Sequence, residues 1–186
     1  MRKCLKYNIS AVIICCILGA IGIAYYRHCY LTSFVSKCEK CPRCRSGFVY
    51  FVPLKHSCYH FSSKNGTFLQ GIAYCRNLMS DLVSIETKIE SHCINYHLTG
   101  TNDLGLYWTS GVADFNRGNT RSFHWLSTGE AFTFTNWCPG QPDRWKENDF
   151  CILLITKCWN DVPCQGNYQF LCEYNLLFAN FVTTNK

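Results

Sequence analysis

Acidic residues are almost missing from the first part of this 186-residue chain: among residues 1–45, Glu39 is the single acid against eight Lys and Arg. Residues 46–186 hold ten Lys or Arg and eleven Asp or Glu, so this larger part carries a formal charge of −1, although the whole chain is at +6. The positive excess therefore flanks an apolar segment at residues 9–26 and does not form a patch on the larger part. This distribution excludes a nucleic-acid-binding function based on overall basicity.

The signatures of an enzyme are missing as well. No nucleophile–base pair stands out, and no paired acids are explained better by catalysis than by cation binding, so we expect no enzymatic activity. The six histidines are scattered without the spacing of metal ligands. Hydrophobic residues make up 48% of the chain and aromatic residues 16%, which is enough for one compact domain with attachments.

The apolar segment at residues 9–26 contains no charge and is at the lower limit of the about 17–25 residues that span a membrane. Three basic residues precede it, so the positive-inside rule places residues 1–8 in the cytoplasm. We expect a single-pass type II signal anchor in the plasma membrane, with the rest of the chain outside. The alternative is secretion after cleavage near Ala24, since Gly22 and Ala24 are small at the spacing that signal peptidase prefers. The segment is longer than the usual signal core of about 7–15 residues, which favours the anchor.

Cysteine is plentiful, with 15 residues, and this number indicates disulfides and an oxidising compartment. Residues 27–43 are predicted to be a cysteine-rich stem, and a CxxCxxC run leads from Cys38 and Cys41 to Cys44 at the start of the next domain. No histidine or second CxxC pair completes a tetrahedral zinc site, so disulfides are favoured. One cysteine of the run is expected to pair with Cys58, assigned as Cys44–Cys58. Other stem cysteines are candidates for bridges between two chains in a disulfide-linked homodimer.

Local patterns predict both helices and strands after the stem. A hairpin is expected within residues 48–61, and strands are expected at Asp81–Ile85, Leu106–Gly111 and Phe123–Trp125. Hydrophobic periodicity predicts one helix at Thr67–Met79, capped by Thr67, and a second at about Glu86–Leu98. Phe68, Ile72, Cys75 and Met79 recur with the period of the first helix, and Ile89, Cys93 and Tyr96 are expected on the inner face of the second. Asn65 begins a glycosylation sequon that we expect in a loop.

The most informative motif is Trp137-Cys138-Pro139-Gly140-Gln141-Pro142-Asp143, followed downstream by Trp159-Asn160-Asp161. Amide and carboxylate oxygens of this kind are ligands for hard cations such as calcium, which takes about six to eight of them. Cysteines surround the two segments, with five residues from Trp159 to Cys164 and eight from Cys164 to Cys172. Together these features resemble the C-type lectin domain, which binds a sugar through a calcium ion, and the resemblance covers about residues 44–174.

The resemblance implies an α+β, C-type lectin-like fold in which two helices flank small antiparallel sheets with a long calcium-binding loop region. It also implies disulfides Cys75–Cys172 and Cys151–Cys164. A further bridge, Cys138–Cys158, is expected because the family brings these two segments to the same ion. Cys93 is expected to be a buried free thiol, and residues 175–186 are expected to be a loose tail.

The calcium ligands implied by the resemblance are Gln141, Asp143, Asn160 and Asp161, which would also contact the sugar. In the family, the peptide before the proline of the turn, here Pro142, is cis. The last ligand corresponds to Asp149, where the family usually has a glutamate, and Glu147 is a substitute for it.

The order Gln-Pro-Asp, as opposed to Glu-Pro-Asn, resembles the galactose-type version of the family. Trp145 lies where such members place a tryptophan that stacks on galactose. The predicted function is therefore calcium-dependent binding of glycans or glycoproteins, with a preference of the galactose type, at a cell surface. The alternative is a calcium-independent receptor that binds a protein ligand, as natural-killer-type relatives do; the stem cysteines and Asp149 favour this alternative.

Overall fold

The described residues form eight strands and two helices. The computed structural model describes residues 44–51, 54, 56–101, 103, 105–115, 121–143 and 149–176. The strands are β1 (Val49–Tyr50), β2 (Ser57–Gly66), β3 (Asp81–Leu82), β4 (Leu106–Phe115), β5 (Arg121–Trp125), β6 (Asp149–Ile155), β7 (Cys158–Pro163) and β8 (Tyr168–Asn175). The helices are α1 (Phe68–Asn77) and α2 (Lys88–Gly100).

The predicted cytoplasmic tail (residues 1–8), anchor (9–26) and stem (27–43) lie outside the described residues, as do residues 177–186 of the predicted C-terminal tail. In the part of the chain that the structure describes, neither helix is both long enough and apolar enough to cross a bilayer.

All eight strands join one sheet in the order β1-β2-β8-β4-β6-β7, with β3 added beside β8 and β5 beside β4. The pairing of β4 with β8 is parallel, whereas β4 pairs antiparallel with both β5 and β6. The N-terminal hairpin is confirmed, because β1 pairs antiparallel with β2 and Tyr50 faces Cys58. The β6–β7 hairpin matters most for function, since it places Leu153 opposite Asn160 and Ile152 opposite Asp161.

Helix α1 begins where the sequence predicts it. The Thr67 N–H donates to Gln70 Oε1 (2.8 Å), and the Gln70 N–H donates to Thr67 Oγ1 (3.4 Å), which makes a reciprocal capping box. The helix packs closely on β8: a Cβ added at Gly71 would lie 2.8 Å from the ring of Phe170. The helix ends at Asn77, and Met79, predicted as its last residue, lies beyond this end with a φ of 51° and is 69% exposed.

Helix α2 begins two residues later than predicted and ends two residues later. Its inner face contains Glu90, Cys93, Ile94 and Leu98, whereas Ile89 is 43% exposed, so the prediction for Ile89 was wrong. The reason is that the buried face includes an acid: Glu90 accepts a hydrogen bond from the Tyr59 hydroxyl (2.6 Å) and takes an inner position that the hydrophobic pattern did not assign to it.

Two expectations about strands and loops are corrected. Only Asp81 and Leu82 of the segment expected as a strand over Asp81–Ile85 are in a strand, although Val83 still donates its N–H to the Leu171 carbonyl oxygen (2.9 Å). Asn65 lies near the end of β2 and not in a loop, because β2 continues through Gly66 until the cap of α1 begins. Asn65 is nevertheless exposed.

Four disulfides join described residues, and all four are pairings expected from the sequence: Cys44–Cys58, Cys75–Cys172, Cys138–Cys158 and Cys151–Cys164. Cys75–Cys172 ties α1 to β8 across a sequence separation of 97 residues. Long loops of this kind give the largest loss of chain entropy in the unfolded state.

Cys93 is also disulfide-bonded, which corrects the expectation of a free thiol. The sulfur is buried, with the residue 1% exposed. A buried apolar position suits a thiol and a disulfide equally, and this is why the helical pattern could not distinguish them.

Candidate functional site

The Gln-Pro-Asp turn is positioned by backbone pairing with β7. The Trp159 N–H donates to the Asn136 carbonyl oxygen (2.8 Å), and the Cys138 N–H donates to the Trp159 carbonyl oxygen (2.9 Å). The Cys138–Cys158 disulfide fastens the same two segments covalently. The chain then turns, with the Gln141 N–H donating to the Cys138 carbonyl oxygen (2.9 Å), so the turn lies beside Asn160 and Asp161.

Buried aromatic rings support this arrangement from below. Trp159 is fully buried, and its ring packs edge-on against Trp125 and Trp137, with centroids 5.5 and 5.8 Å away. Trp159 therefore belongs to the core. Its burial in turn fixes the next two residues of β7 near the Gln-Pro-Asp turn.

The turn presents its side chains at the surface. The Gln141–Pro142 peptide is cis, as expected. The Gln141 amide Nε2 donates to Asp143 Oδ2 (3.0 Å), and the Asp143 N–H donates to Gln141 Oε1 (3.2 Å). The two side chains therefore face each other at the mouth of the site, and Asp143 is exposed.

Asp161 forms the floor of the site. The residue is 3% exposed, and its Oδ1 accepts a hydrogen bond from the Asp143 N–H (3.2 Å), which connects the floor to the turn. Its Oδ2 forms an ion pair with a guanidinium nitrogen of Arg121. Arg121 is the first residue of β5, and its guanidinium lies 5.2 Å from the centroid of the Phe123 ring.

Arg121 is the site residue that sequence reasoning missed. It precedes Asp161 by 40 residues and belongs to no motif. Only the register of the β4–β5 hairpin, in which Arg121 faces Phe115, brings it to the end of the sheet where the turn lies. No local sequence signal could have found it.

Asn160 contributes a buried oxygen that lacks a partner in the described part of the chain. Its Oδ1 is inaccessible to solvent and accepts no hydrogen bond there. A buried acceptor without a partner costs free energy. A cation bound beside Asp161 is one means of satisfying it.

Hydrogen bonds thus link three of the predicted ligands, Gln141, Asp143 and Asp161, and Asn160 directly precedes Asp161 on β7. Trp145 and Glu147 lie outside the described residues. The backbone of Asp149 begins β6 and pairs with Pro163, but its side chain is not described. Among the described residues, no three His, Cys, Asp or Glu side chains gather as a metal-binding group.

Calcium is the ion that the donor set suits best, because amide and carboxylate oxygens are its usual protein ligands. The Oδ1 of Asn160, which has no partner in the described part, and the carboxylates of Asp143 and Asp161 fit such an ion. The ion pair between Arg121 and Asp161 opposes it, since one carboxylate of the set already has a counter-charge.

Comparison with known proteins agrees with this architecture. The sequence model of the family described as "Lectin C-type domain" matches residues 64–174, more than half of the chain. Perlucin from Haliotis laevigata is 35% identical over 124 residues, which are 64% of this chain and 77% of perlucin.

Solved structures show the same likeness. The carbohydrate-recognition domain of the human scavenger receptor C-type lectin is 29% identical, with a TM-score of 0.61, over 72% of this chain and 99% of that structure. A calcium-independent type II antifreeze protein is 22% identical, with a TM-score of 0.56, over 72% of this chain and 95% of that structure. The second likeness concerns the fold alone.

The chain therefore belongs to the C-type lectin domain family. The α+β lectin-like fold expected from the sequence is confirmed. Members of this family are non-enzymatic binding proteins, in agreement with the prediction that the chain is not an enzyme, and the function supported for the family is carbohydrate binding.

Proposed function

We propose that this chain binds glycans through a calcium ion held at the Gln-Pro-Asp turn. The observation that carries the proposal is the buried Oδ1 of Asn160, the residue directly before Asp161 on β7, which accepts no hydrogen bond from the described residues. Gln141 and Asp143 supply oxygens from the facing turn. Asp149 or Glu147 is the candidate for a fifth ligand.

Calcium would supply a centre to which two neighbouring sugar hydroxyls coordinate. The residues of the chain have a second task, which is to hydrogen-bond those hydroxyls. Asp143 accepts such bonds through a carboxylate, and bonds to an ionised acceptor are among the stronger ones. Gln141 and Asn160 carry amide NH₂ groups that donate to the sugar oxygens.

The proposed preference is for sugars of the galactose type. It is supported by the order of the turn, in which the amide comes before the proline and the carboxylate after it. Trp145 would add an aromatic face for the apolar side of the sugar.

The proposed location is the outer face of the plasma membrane, with residues 9–26 as a type II anchor and residues 27–43 as a stem that links two chains. The disulfides of the domain support an oxidising compartment. The exposed Asn65 is the proposed glycosylation site. Cleavage near Ala24 would give a secreted lectin with the same site.

The second candidate function is calcium-independent binding of a protein ligand. The ion pair between Arg121 and Asp161 favours it, because a buried carboxylate that already has a cationic partner does not need calcium. The fold itself is compatible with this function, since a structure described as calcium-independent shares it.

A sugar-affinity experiment separates the two candidates. The full-length chain in mild detergent is applied to immobilised galactose and immobilised mannose with calcium and is then eluted with EDTA. We expect retention on galactose and release by EDTA. Retention on mannose alone would keep the calcium site and overturn the specificity, and no retention on either sugar would favour the protein-binding receptor.

A matched pair of variants tests the role of Asn160. Asn160→Ala is expected to abolish retention, since it removes the proposed ligand oxygen. Asn95→Ala is the control, because Asn95 also has a buried Oδ1 without a described partner but is on α2, where its amide donates to the Lys157 carbonyl oxygen (3.1 Å). If the Asn95 variant loses retention equally, the loss reflects general destabilisation and Asn160 is not a ligand.

A further inference from the structure

We propose that Arg121 is an internal cation of the ligand site, which neutralises Asp161 in the calcium-free domain and lowers the affinity of the site for calcium. The proposal rests on the calcium-binding function proposed above. It assigns to this arginine a role that no sequence motif of the chain indicates.

The first support is the burial of the ion pair. The side chain of Asp161 is fully buried and that of Arg121 is 13% exposed, whereas the other ion pair in the described part, Arg76 with Asp81, has side chains that are 72% and 53% exposed. An ionised carboxylate without a partner at such a position is strongly unfavourable. The guanidinium of Arg121 supplies such a partner.

The second support is the way in which Arg121 is held. Its guanidinium lies 5.2 Å from the centroid of the Phe123 ring, on the same strand β5. The ring is itself packed against Trp137, with centroids 4.9 Å apart. The guanidinium therefore contacts an aromatic ring that itself packs against the aromatic side chains below the site.

The third support is the connection to the ligand turn. Asp161 accepts the Asp143 N–H on one carboxylate oxygen and pairs with Arg121 through the other. Arg121 thus forms an ion pair with the same carboxylate that accepts a hydrogen bond from the backbone of the turn. The turn is therefore linked to Arg121 through Asp161.

The fourth support is the charge of the site. Asp143 and Asp161 each carry a negative charge, and Arg121 places one positive charge against Asp161. Calcium affinity in proteins depends on the number of charged ligands. Binding also requires Asp161 to exchange a cationic partner that is already in place, so the site binds calcium more weakly than its oxygen donors alone would.

Calcium affinity of the full-length protein in detergent, measured by titration calorimetry, tests the proposal. Arg121→Gln removes the charge and retains a polar side chain, and we expect it to bind calcium about tenfold more tightly than the wild type or better. In EDTA, the same variant is expected to melt lower by about 5 °C or more, because Asp161 loses its partner. Arg76→Gln is the matched control, since it removes an arginine from the exposed ion pair, and it should change neither value.

Two further measurements cover the case in which Arg121→Gln does not fold without calcium. Arg121→Lys keeps the positive charge, so its calcium affinity is expected to stay within about threefold of the wild type. In the wild-type protein, the side-chain NH resonance of Arg121, assigned by its loss in Arg121→Lys, is expected to shift on addition of calcium. An unchanged resonance at saturating calcium would overturn the proposal.

The outcomes also distinguish this proposal from the proposed function. Calcium binding by Arg121→Gln but not by the wild type would support the role of Arg121 and contradict calcium dependence in the natural protein. Equal affinities in the two proteins would overturn the role of Arg121 and leave the proposed function intact. No calcium heat in either protein would overturn both the role and the calcium requirement, and galactose retention in EDTA would then show whether glycan binding survives without the ion.

Discussion

Asn160 and Asp161 are neighbours on β7 with opposite hydrogen-bonding states. The amide oxygen of Asn160 has no described partner, whereas the carboxylate of Asp161 contacts both the Asp143 N–H and Arg121. Of these two side-chain oxygen groups, only the Asp161 carboxylate therefore has partners among the described residues. A bound cation that took one oxygen from each residue would correct the deficit at Asn160 while competing with Arg121 at Asp161.

Exchanging the two functional groups of the turn is expected to change the sugar preference. The double variant Gln141→Glu with Asp143→Asn moves the carboxylate from one side of Pro142 to the other at constant net charge. The pattern of hydrogen-bond donors and acceptors that faces the sugar is then reversed. We therefore expect the affinity for galactose to fall about tenfold or more, which corresponds to the loss of one or two charge-assisted hydrogen bonds. The affinity for mannose is expected to rise. Elution by competing free sugars measures both.

Calcium titration of the same double variant provides the control. The ligand oxygens are conserved in number and charge, so calcium affinity should remain close to that of the wild type. If calcium affinity is kept and galactose is still preferred, the order of amide and carboxylate in the turn does not determine specificity.

Thr67 has two functions, because it caps α1 and is the third residue of the sequon at Asn65. Thr67→Ala is expected to lower the free energy of unfolding by about 1 kcal/mol, since the Gln70 N–H loses its acceptor. The measurement is urea unfolding of protein made without glycosylation. Asn65→Gln removes the sequon alone and should leave stability unchanged, so equal losses in the two variants would contradict the capping argument.

The contact between α1 and β8 tolerates no additional methyl group. Gly71→Ala would place a Cβ 2.8 Å from the ring of Phe170, which is 3% exposed and closely packed. Overpacking of this kind costs about 1–3 kcal/mol, more than the alanine gains in helix propensity. Gly100→Ala at the end of α2 is the matched control, because nothing lies within 4 Å of an added Cβ there, and thermal unfolding should show a loss only for Gly71→Ala. A loss in both variants would contradict the packing argument.

Features with a local cause could be predicted from the sequence. The capping box at Thr67 and the hairpin that ends in β2 each depend on residues a few positions apart. The cysteine pairings were predictable because spacing and family resemblance supplied the missing long-range information. The ion pair of Arg121 with Asp161 joins distant segments for which the sequence contains no signal. A helical pattern cannot distinguish the bonded state of Cys93 from a buried free thiol.

Two acids, buried Glu90 and half-buried Glu173, connect α2, β2 and β8. Glu90 accepts hydrogen bonds from the Tyr59 hydroxyl (2.6 Å) and the Glu86 N–H (2.9 Å), and Glu173 accepts from Ser57 Oγ (2.6 Å) and the Ser84 N–H (3.2 Å). Burial, followed by the charge of Glu173, raises the pKa of Glu90 from its ordinary 4.5 to about 8. Burial also raises the pKa of Glu173.

These shifts predict that stability of the whole domain decreases as the pH rises. Between pH 4.5 and about 8 the folded protein holds a proton on Glu90 that the unfolded chain has released, so the free energy of unfolding falls across this window. The contribution is complete below pH 4.5 and is lost above about pH 8. Each pKa unit corresponds to about 1.4 kcal/mol, so the effect of Glu90 amounts to a few kcal/mol.

The variant Glu90→Gln tests whether Glu90 causes this pH dependence of stability, because the amide resembles the protonated carboxyl and does not titrate. The variant is expected to unfold at nearly the same urea concentration from pH 5 to pH 8, whereas the midpoint of the wild type falls as the pH rises. Glu130→Gln removes a carboxylate from an exposed position and should follow the wild type. A wild-type midpoint that rises with pH over this range would mean that Glu90 is ionised in the folded protein. The hydrogen bonds from Tyr59 and Glu86 would then have to stabilise the carboxylate more strongly than burial and Glu173 oppose it.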